Sequence, residues 1–358
     1  MPTLSGRRSR RRGGWIGALA VLAALSGAPP GRAETRTVTL FDFAFESGEV
    51  MPDLRIAYET HGTLASGRDN AILLLPAATG DRHAFDAVIG PGKTFDTDKY
   101  FIVTADPIGG GESSSPAEGA GQDFPRYSVR DMMLALQGLI AGNLNLTELH
   151  AIAGSDLGAF IALEWAIHYP QTTHGVILLA PSSKADANYR LVVDLMTSVV
   201  ALDPKWQGGR YSANPIDGLR HAGMLYYPWS TSAAFLDRGP PRRVAKEIEA
   251  TARSFAAWDA NSLVLRYAAC RGHDVSGPFE GSIAAALARV TAPVLLLPSV
   301  SDRLIGTDDA LLIRGGVRNA VYAEIPGDLG HRAIRALPET LEWDFIDRRI
   351  RAFLATLN

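Results

Sequence analysis

A single cysteine, Cys270, stands in 358 residues, so no intrachain disulfide can form and no cysteine-cluster metal site can be assembled. Internal repeats, heptads and low-complexity tracts are also missing, which argues against a solenoid or a coiled coil. Charged residues make up only 20% of the chain against 47% hydrophobic, enough apolar side chain for a large core in one or two domains. There is no excess of positive charge. The six arginines of residues 1–33 face no acid in that segment, so the remaining chain carries a formal charge of −9 where the whole carries −3. A chain this acidic is a poor nucleic-acid partner. Long apolar runs are scarce too: residues 15–25 are the apolar stretch nearest the N-terminus, about half the ~20 residues a bilayer-spanning helix requires.

That short run has a different meaning in its setting. Arg7, Arg8, Arg10, Arg11 and Arg12 precede it, and Gly31-Arg32-Ala33 follows as a small-x-small cleavage site. The pattern is that of a cleaved signal peptide over residues 1–33, leaving a periplasmic or secreted protein that is not held by a membrane. An uncleaved anchor is the competing reading. Ser9-Arg10-Arg11 is a weak hint of twin-arginine export.

Beyond residue 33, strand-like and helix-like segments alternate, which predicts an α/β fold with a doubly wound, mostly parallel sheet. Apolar runs at 71–75, 100–104, 149–153, 175–180 and 293–298 are the expected buried strands. Each ends in a loop rich in Gly, Asp, Ser or Pro, where such a sheet places its site. From about 184 to 286 the rhythm becomes helical, with helices expected over 187–202, 213–226 and 245–268. The predicted organisation is a core over 34–183, an inserted helical lid over 184–286, and a second core part over 287–358.

The sharpest local signal is Gly154-Ser-Asp-Leu-Gly158, between the strand at 149–153 and a helix expected over 159–169. A strand, a tight turn and a helix form a nucleophile elbow, and glycines two residues either side of the apex give the turn its room. The apex is therefore Asp156. Ser155, the usual chemical choice, is flanked by Ala153 and Leu157 and is kept as the alternative nucleophile. An elbow nucleophile works with an acid and then a histidine in chain order. Asp302 follows the apolar run ending at 297, and His331 is the only histidine after residue 273. Alone, Asp302 could be a helix cap and His331 a solvated loop residue. Asp308 and Asp309 are rival acids farther from the strand, and Asp328 suits a turn. The expected oxyanion hole pairs the backbone N–H of Leu157 with that of Ala78, in the loop after the strand at 71–75. The glycine-rich loop at 109–115 fits no phosphate-binding pattern, and nothing in the sequence calls for a metal or cofactor; the expected partner is a small-molecule substrate.

Several stretches together resemble the homoserine O-acetyltransferase family of α/β-hydrolases. They are Asn70 with residues 78–81 (Ala-Thr-Gly-Asp), 90–101 (Gly-Pro-Gly-Lys-Thr-Phe-Asp-Thr-Asp-Lys-Tyr-Phe) and 124–131 (Phe-Pro-Arg-Tyr-Ser-Val-Arg-Asp). Residues 162–166 (Ala-Leu-Glu-Trp-Ala), 259–262 (Asp-Ala-Asn-Ser), His273-Asp274, 301–304 (Ser-Asp-Arg-Leu) and Gly330-His331 complete the set. The resemblance implies the α/β-hydrolase fold, the lid, the triad positions and a homodimer through the lid. Three features depart from it. The family's elbow serine falls on Asp156, its lid arginine for the homoserine carboxylate meets Tyr226-Tyr-Pro-Trp-Ser230, and homoserine activation is cytosolic chemistry.

Three functions follow as expectations: an exported hydrolase (or acyltransferase) of a small ester-type substrate, an Asp-nucleophile hydrolase of haloalkane dehalogenase or epoxide hydrolase type, and a catalytically silent binding module. Against the second, Leu157 replaces the tryptophan that commonly holds a halide. Adjacent Tyr226 and Tyr227 cannot both face one site from a helix.

Overall fold

Residues 71–75, Ala-Ile-Leu-Leu-Leu, have no polar side to offer water, and all five are buried in the middle of the sheet. In the computed structural model, which describes residues 35–335 and 337–357, eight strands form one sheet. They are β1 (Arg36–Ala44), β2 (Val50–His61), β3 (Ala71–Leu75), β4 (Phe101–Ala105), β5 (Ala151–Ser155), β6 (Val176–Leu179), β7 (Val294–Leu297) and β8 (Ala320–Tyr322). Their order is β1-β2-β4-β3-β5-β6-β7-β8. β1 and β2 join antiparallel to the edge and the remaining six strands run parallel. The signal segment read at 1–33 lies outside the described residues.

The helices are α1 (Val129–Gln137), α2 (Leu157–His168), α3 (Ala187–Ala201), α4 (Ile216–Ser230), α5 (Ala233–Arg238), α6 (Pro241–Ala256), α7 (Ala260–Arg271), α8 (Ile283–Leu287), α9 (Asp308–Gly316) and α10 (Leu341–Leu354). α3 to α8 all fall between β6 and β7, in the stretch read as a lid. The change of rhythm in the sequence therefore corresponds to a helical insertion between neighbouring parallel strands.

Three local features differ from the sequence-based expectation. The helix expected over 245–268 is two helices, because the Asp259 carboxylate accepts the Ser262 N–H at 2.9 Å and starts α7 afresh. Strand β5 begins and ends two residues later than 149–153, since its ladder with β6 continues to Ser155 opposite Leu179. Three strands lie beyond the five apolar runs: the antiparallel pair β1–β2 and the three-residue β8, none of them a continuous buried apolar segment.

Candidate active site

Asp156 sits where β5 turns into α2. Its φ of 51° and ψ of −116° are unfavourable for a side-chain-bearing residue, a cost on the order of 1–3 kcal/mol that surrounding structure must override. The override is visible. Asp156 N–H donates to the Leu179 carbonyl at 2.9 Å, and the Asp156 carbonyl accepts from Ala159 and Phe160 at 2.8 and 3.0 Å. The two glycines are sterically obligatory. A Cβ on Gly154 would lie 2.1 Å from the Gly158 carbonyl carbon, and one on Gly158 would lie 2.1 Å from the Leu75 carbonyl oxygen.

The Asp156 side chain is buried, and one of its oxygens is already engaged: Ala78 N–H donates to Oδ2 at 3.0 Å. Oδ1 is buried with no hydrogen-bond partner among the described residues. Thus one donor expected of an oxyanion hole holds the apex carboxylate itself. Leu157, the other expected donor, opens α2, so its N–H belongs to the first turn of donors that have no intrahelical partner.

Asp302 and His331 come together from the loops after β7 and β8. His331 Nδ1 lies 2.7 Å from Asp302 Oδ2, and the Asp302 carboxylate is fully buried. Asp302 Oδ1 accepts from the N–H groups of Leu304 and Ile305 at 2.8 and 3.0 Å. The acid is therefore held on both oxygens. With the proton on Nδ1 facing Asp302, Nε2 is left as the basic nitrogen. Burial pulls the imidazole's proton affinity down, but the Asp302 carboxylate, then Asp156, outweigh it and set the pKa above the ordinary value. No hydrogen bond joins His331 to Asp156 among the described residues; their link is electrostatic. Of the other acids, Asp308 lies in the first turn of α9, and two are paired elsewhere. Asp309 accepts from the Ser183 hydroxyl at 2.9 Å, and Asp328 pairs with Arg238.

Ser155, the last residue of β5, lines a small cavity with Phe85, Val88 and Leu179. His331 instead borders an adjoining cavity of about 440 Å³ with Thr79, Tyr226, Phe255, Arg332 and Arg335, and Arg335 lines both. That volume suits a small molecule.

The helical insertion adds groups that no local motif announces. Tyr189 on α3, Tyr226 on α4 and Tyr267 on α7 are buried, and burial followed by nearby negative charge, Asp156 included, drives each phenol well above its ordinary pKa. All three are therefore neutral O–H donors within electrostatic reach of Asp156. Cys270 is also buried, which pushes its thiol up to about 12 with Asp156 adding to the effect, so it is no rival nucleophile. Tyr227 turns away, and its hydroxyl donates to Glu247 at 2.9 Å. The adjacent tyrosines thus diverge, while the convergent ones lie on separate helices.

Residues 70–305 match the family described as alpha/beta hydrolase fold. A homoserine O-acetyltransferase of Leifsonia xyli subsp. xyli is 32% identical over 325 residues, spanning 79% of this chain and 80% of that protein. The chain belongs to the homoserine O-acetyltransferase-like family of α/β-hydrolases. It is an enzyme of the acyltransferase or hydrolase kind. Among solved structures, an acetylester hydrolase from Corynebacterium glutamicum superposes with a TM-score of 0.84 at 26% identity, covering 90% of this chain and 96% of that one. The homoserine O-acetyltransferase from Bacillus anthracis gives 0.81 at 26% identity, covering 91% and 98%.

Proposed function

We propose that this family member is a small-molecule hydrolase that uses Asp156 as a covalent carboxylate nucleophile and the His331–Asp302 pair to activate water. The observation that carries the proposal is the division of labour on the Asp156 carboxylate: Oδ2 held by Ala78 N–H, Oδ1 buried and unpartnered among the described residues. A serine at the apex would need a base at hydrogen-bond distance to become nucleophilic. A carboxylate needs none, which accommodates the missing contact between His331 and Asp156.

The steps follow from that division. Oδ1 attacks a saturated carbon, forming a C–O bond as the leaving group departs with the old bonding pair. Water then attacks the Asp156 carbonyl carbon while His331 Nε2 takes its proton. The negative charge of the tetrahedral intermediate develops on Oδ2, where Ala78 N–H already donates. Collapse breaks the bond to Oδ1, and the departing alkoxide takes the proton from His331. The product leaves with Oδ1, a water oxygen replaces it in Asp156, and the water's second proton passes to solvent as the carboxylate re-forms. Tyr226, on the cavity wall and protonated, is placed to donate to the leaving group. This supplies a donor that Leu157 cannot.

A second reading, hydrolysis of a small acyl ester, is favoured by the likeness to the acetylester hydrolase. In that chemistry a carboxylate nucleophile would give a mixed anhydride, and its own charge would sit where a substrate oxyanion must be stabilised. One experiment separates the two. His331→Gln is incubated with p-nitrophenyl esters, haloalkanes and epoxides, and intact mass is measured with peptide mapping. An alkyl adduct on Asp156 is expected, and an acyl adduct on Ser155 would refute the proposal.

Export and assembly belong to the same proposal. The basic and apolar N-terminal pattern supports cleavage after Ala33, checked by N-terminal sequencing of the exported protein. A lid-mediated dimer is supported by the exposed Leu191, Leu195 and Met224 on α3 and α4 and Leu202 at the end of α3. Sedimentation of Leu195→Asp against the unaltered chain tests it.

A further inference from the structure

The wall of the His331 cavity has a distinctive charge. Its lining includes the polar residues Thr79, Ser230, Thr251 and Tyr226 and two arginines, with no Asp or Glu among the lining residues. This stands out in a chain whose acids outnumber its basic residues. The two arginines are not equivalent. Arg332 is neutralised, its Nη1 lying 2.6 Å from Glu247 Oε2. Arg335 has no carboxylate partner among the described residues, and its one side-chain hydrogen bond runs from Nη2 to the Thr79 hydroxyl at 2.8 Å.

Thr79 directly follows Ala78, whose N–H holds Asp156. Arg335 therefore contacts, through the Thr79 hydroxyl, the residue that follows the group holding Asp156. We infer that Arg335 anchors an acidic group of the substrate, so that the enzyme takes small molecules carrying a carboxylate a few atoms from the reacting carbon. A planar guanidinium with free N–H groups suits a carboxylate held by two hydrogen bonds. The charges of Arg335 and Asp156 act on the same three side chains, His331, Tyr226 and Tyr267, in opposite directions. Arg335 and His331 line the same cavity, and an anion bound at Arg335 would also offset part of the cation's pull on His331. The inference names the substrate class of the reaction proposed above and rests on that reading for the reacting carbon, though not for the anchor.

Binding is measured first, so that the anchor can be judged without any turnover. The mature chain is titrated calorimetrically with butyrate and with its neutral counterpart butyramide. Butyrate is expected to bind at least about tenfold more tightly. Arg335→Gln should remove that preference while leaving butyramide unchanged, and Arg335→Lys should restore part of it. Thr79→Val, which deletes the hydrogen bond but keeps the cation, should retain the preference; its loss there would assign the effect to loop position and overturn the anchor. Equal binding of the two probes, or an unaltered preference in Arg335→Gln, would overturn it as well. Turnover of chloroacetate against chloroacetamide then gives the reactive counterpart. Butyrate selectivity that depends on Arg335, together with no Asp156 adduct from any halide, epoxide or ester, would leave the anchor standing and remove the proposed chemistry.

Discussion

On the sheet side of the candidate site, each key residue is fixed by a few residues of its own backbone. Asp156 is locked by a turn that admits only glycine at 154 and 158, and Asp302 by two N–H groups of the next three residues. On the helical side, Tyr189, Tyr226 and Tyr267 come from three separate helices and depend on how those helices pack. Glu247 of α6 ties that side to the sheet, accepting from Tyr227 on α4 and pairing with Arg332 beside His331. Under the proposed reaction, local geometry builds the groups that would make and break bonds, and tertiary packing builds the groups that would receive the substrate. Changes on the first side should strike the rate of chemistry. Changes on the second should strike selectivity.

The largest effect expected is from Asp156→Ala. Loss of the nucleophile should lower turnover about 10⁴-fold or more, with the circular dichroism spectrum unchanged. Residual turnover near that of the unaltered enzyme would mean that the sheet side does not hold the nucleophile. Asp156→Ser sharpens the same test by restoring the family's hydroxyl at the apex. Esterase activity appearing only in that variant would show that the scaffold supports acyl chemistry and that the aspartate redirects it.

Next in size is Asp302→Asn, expected to cost about 10³-fold by presenting the wrong histidine tautomer. Its pH signature is more diagnostic than its size. Neutral His331 is the base, so activity should rise with pH through a His331 pKa that lies above 6.5. Removing the Asp302 charge deletes the main upward influence on that pKa, so the acid limb should move to lower pH. A limb that stays put would detach His331 from the water-activating step.

Asp156, Asp302 and His331 are legible in the sequence because their signals are local: glycines at fixed offsets, a polar residue just past a buried strand, a late histidine. Five of the six parallel strands are legible for a related reason, as buried strands leave continuous apolar runs, whereas β8 is three residues long and only partly buried. The tyrosines are not. Sequence adjacency draws attention to Tyr226 and Tyr227, whereas the fold pairs Tyr226 with Tyr267, whose ring centroids lie 6.5 Å apart. Arg335 is equally silent, because an arginine four residues past a histidine has meaning only once the turn at Gly330–Arg335 places both on one cavity. The β1–β2 pair escapes a sequence reading because its half-exposed strands lack the apolar runs that mark the others.

The two lid tyrosines therefore make an internal control of moderate size. Tyr226→Phe should lower turnover about tenfold for a substrate with a poor leaving group and much less for a good one, since only the former needs a proton donor. Tyr227→Phe should leave turnover nearly unchanged and reduce stability by about 1 kcal/mol, through the lost hydrogen bond to Glu247. Rates with two leaving groups and a urea melt for each variant supply the comparison. Equal leaving-group sensitivity in Tyr226→Phe and in the unaltered enzyme would strip Tyr226 of its donor role.

The smallest effect is expected next door to the largest. Ser155 and Asp156 are consecutive, yet Ser155 ends the strand and Asp156 forms the turn, its φ of 51° breaking the extended backbone between them. Ser155 faces Phe85, Val88 and Leu179 in a cavity that His331 does not border, whereas Asp156 meets Ala78 N–H. Ser155→Ala should therefore change turnover by no more than about twofold, within the roughly ±0.5 kcal/mol expected where no key interaction is lost. The measurement is kcat/KM for Ser155→Ala beside Asp156→Ala on one substrate. A loss of about a hundredfold in the first with activity kept in the second would require the turn to rotate by one residue, bringing leucine to the position where only Gly158 clears the Leu75 carbonyl. The 2.1 Å separation there leaves no space for a Cβ, which is why the serine is expected to be the silent member of the pair.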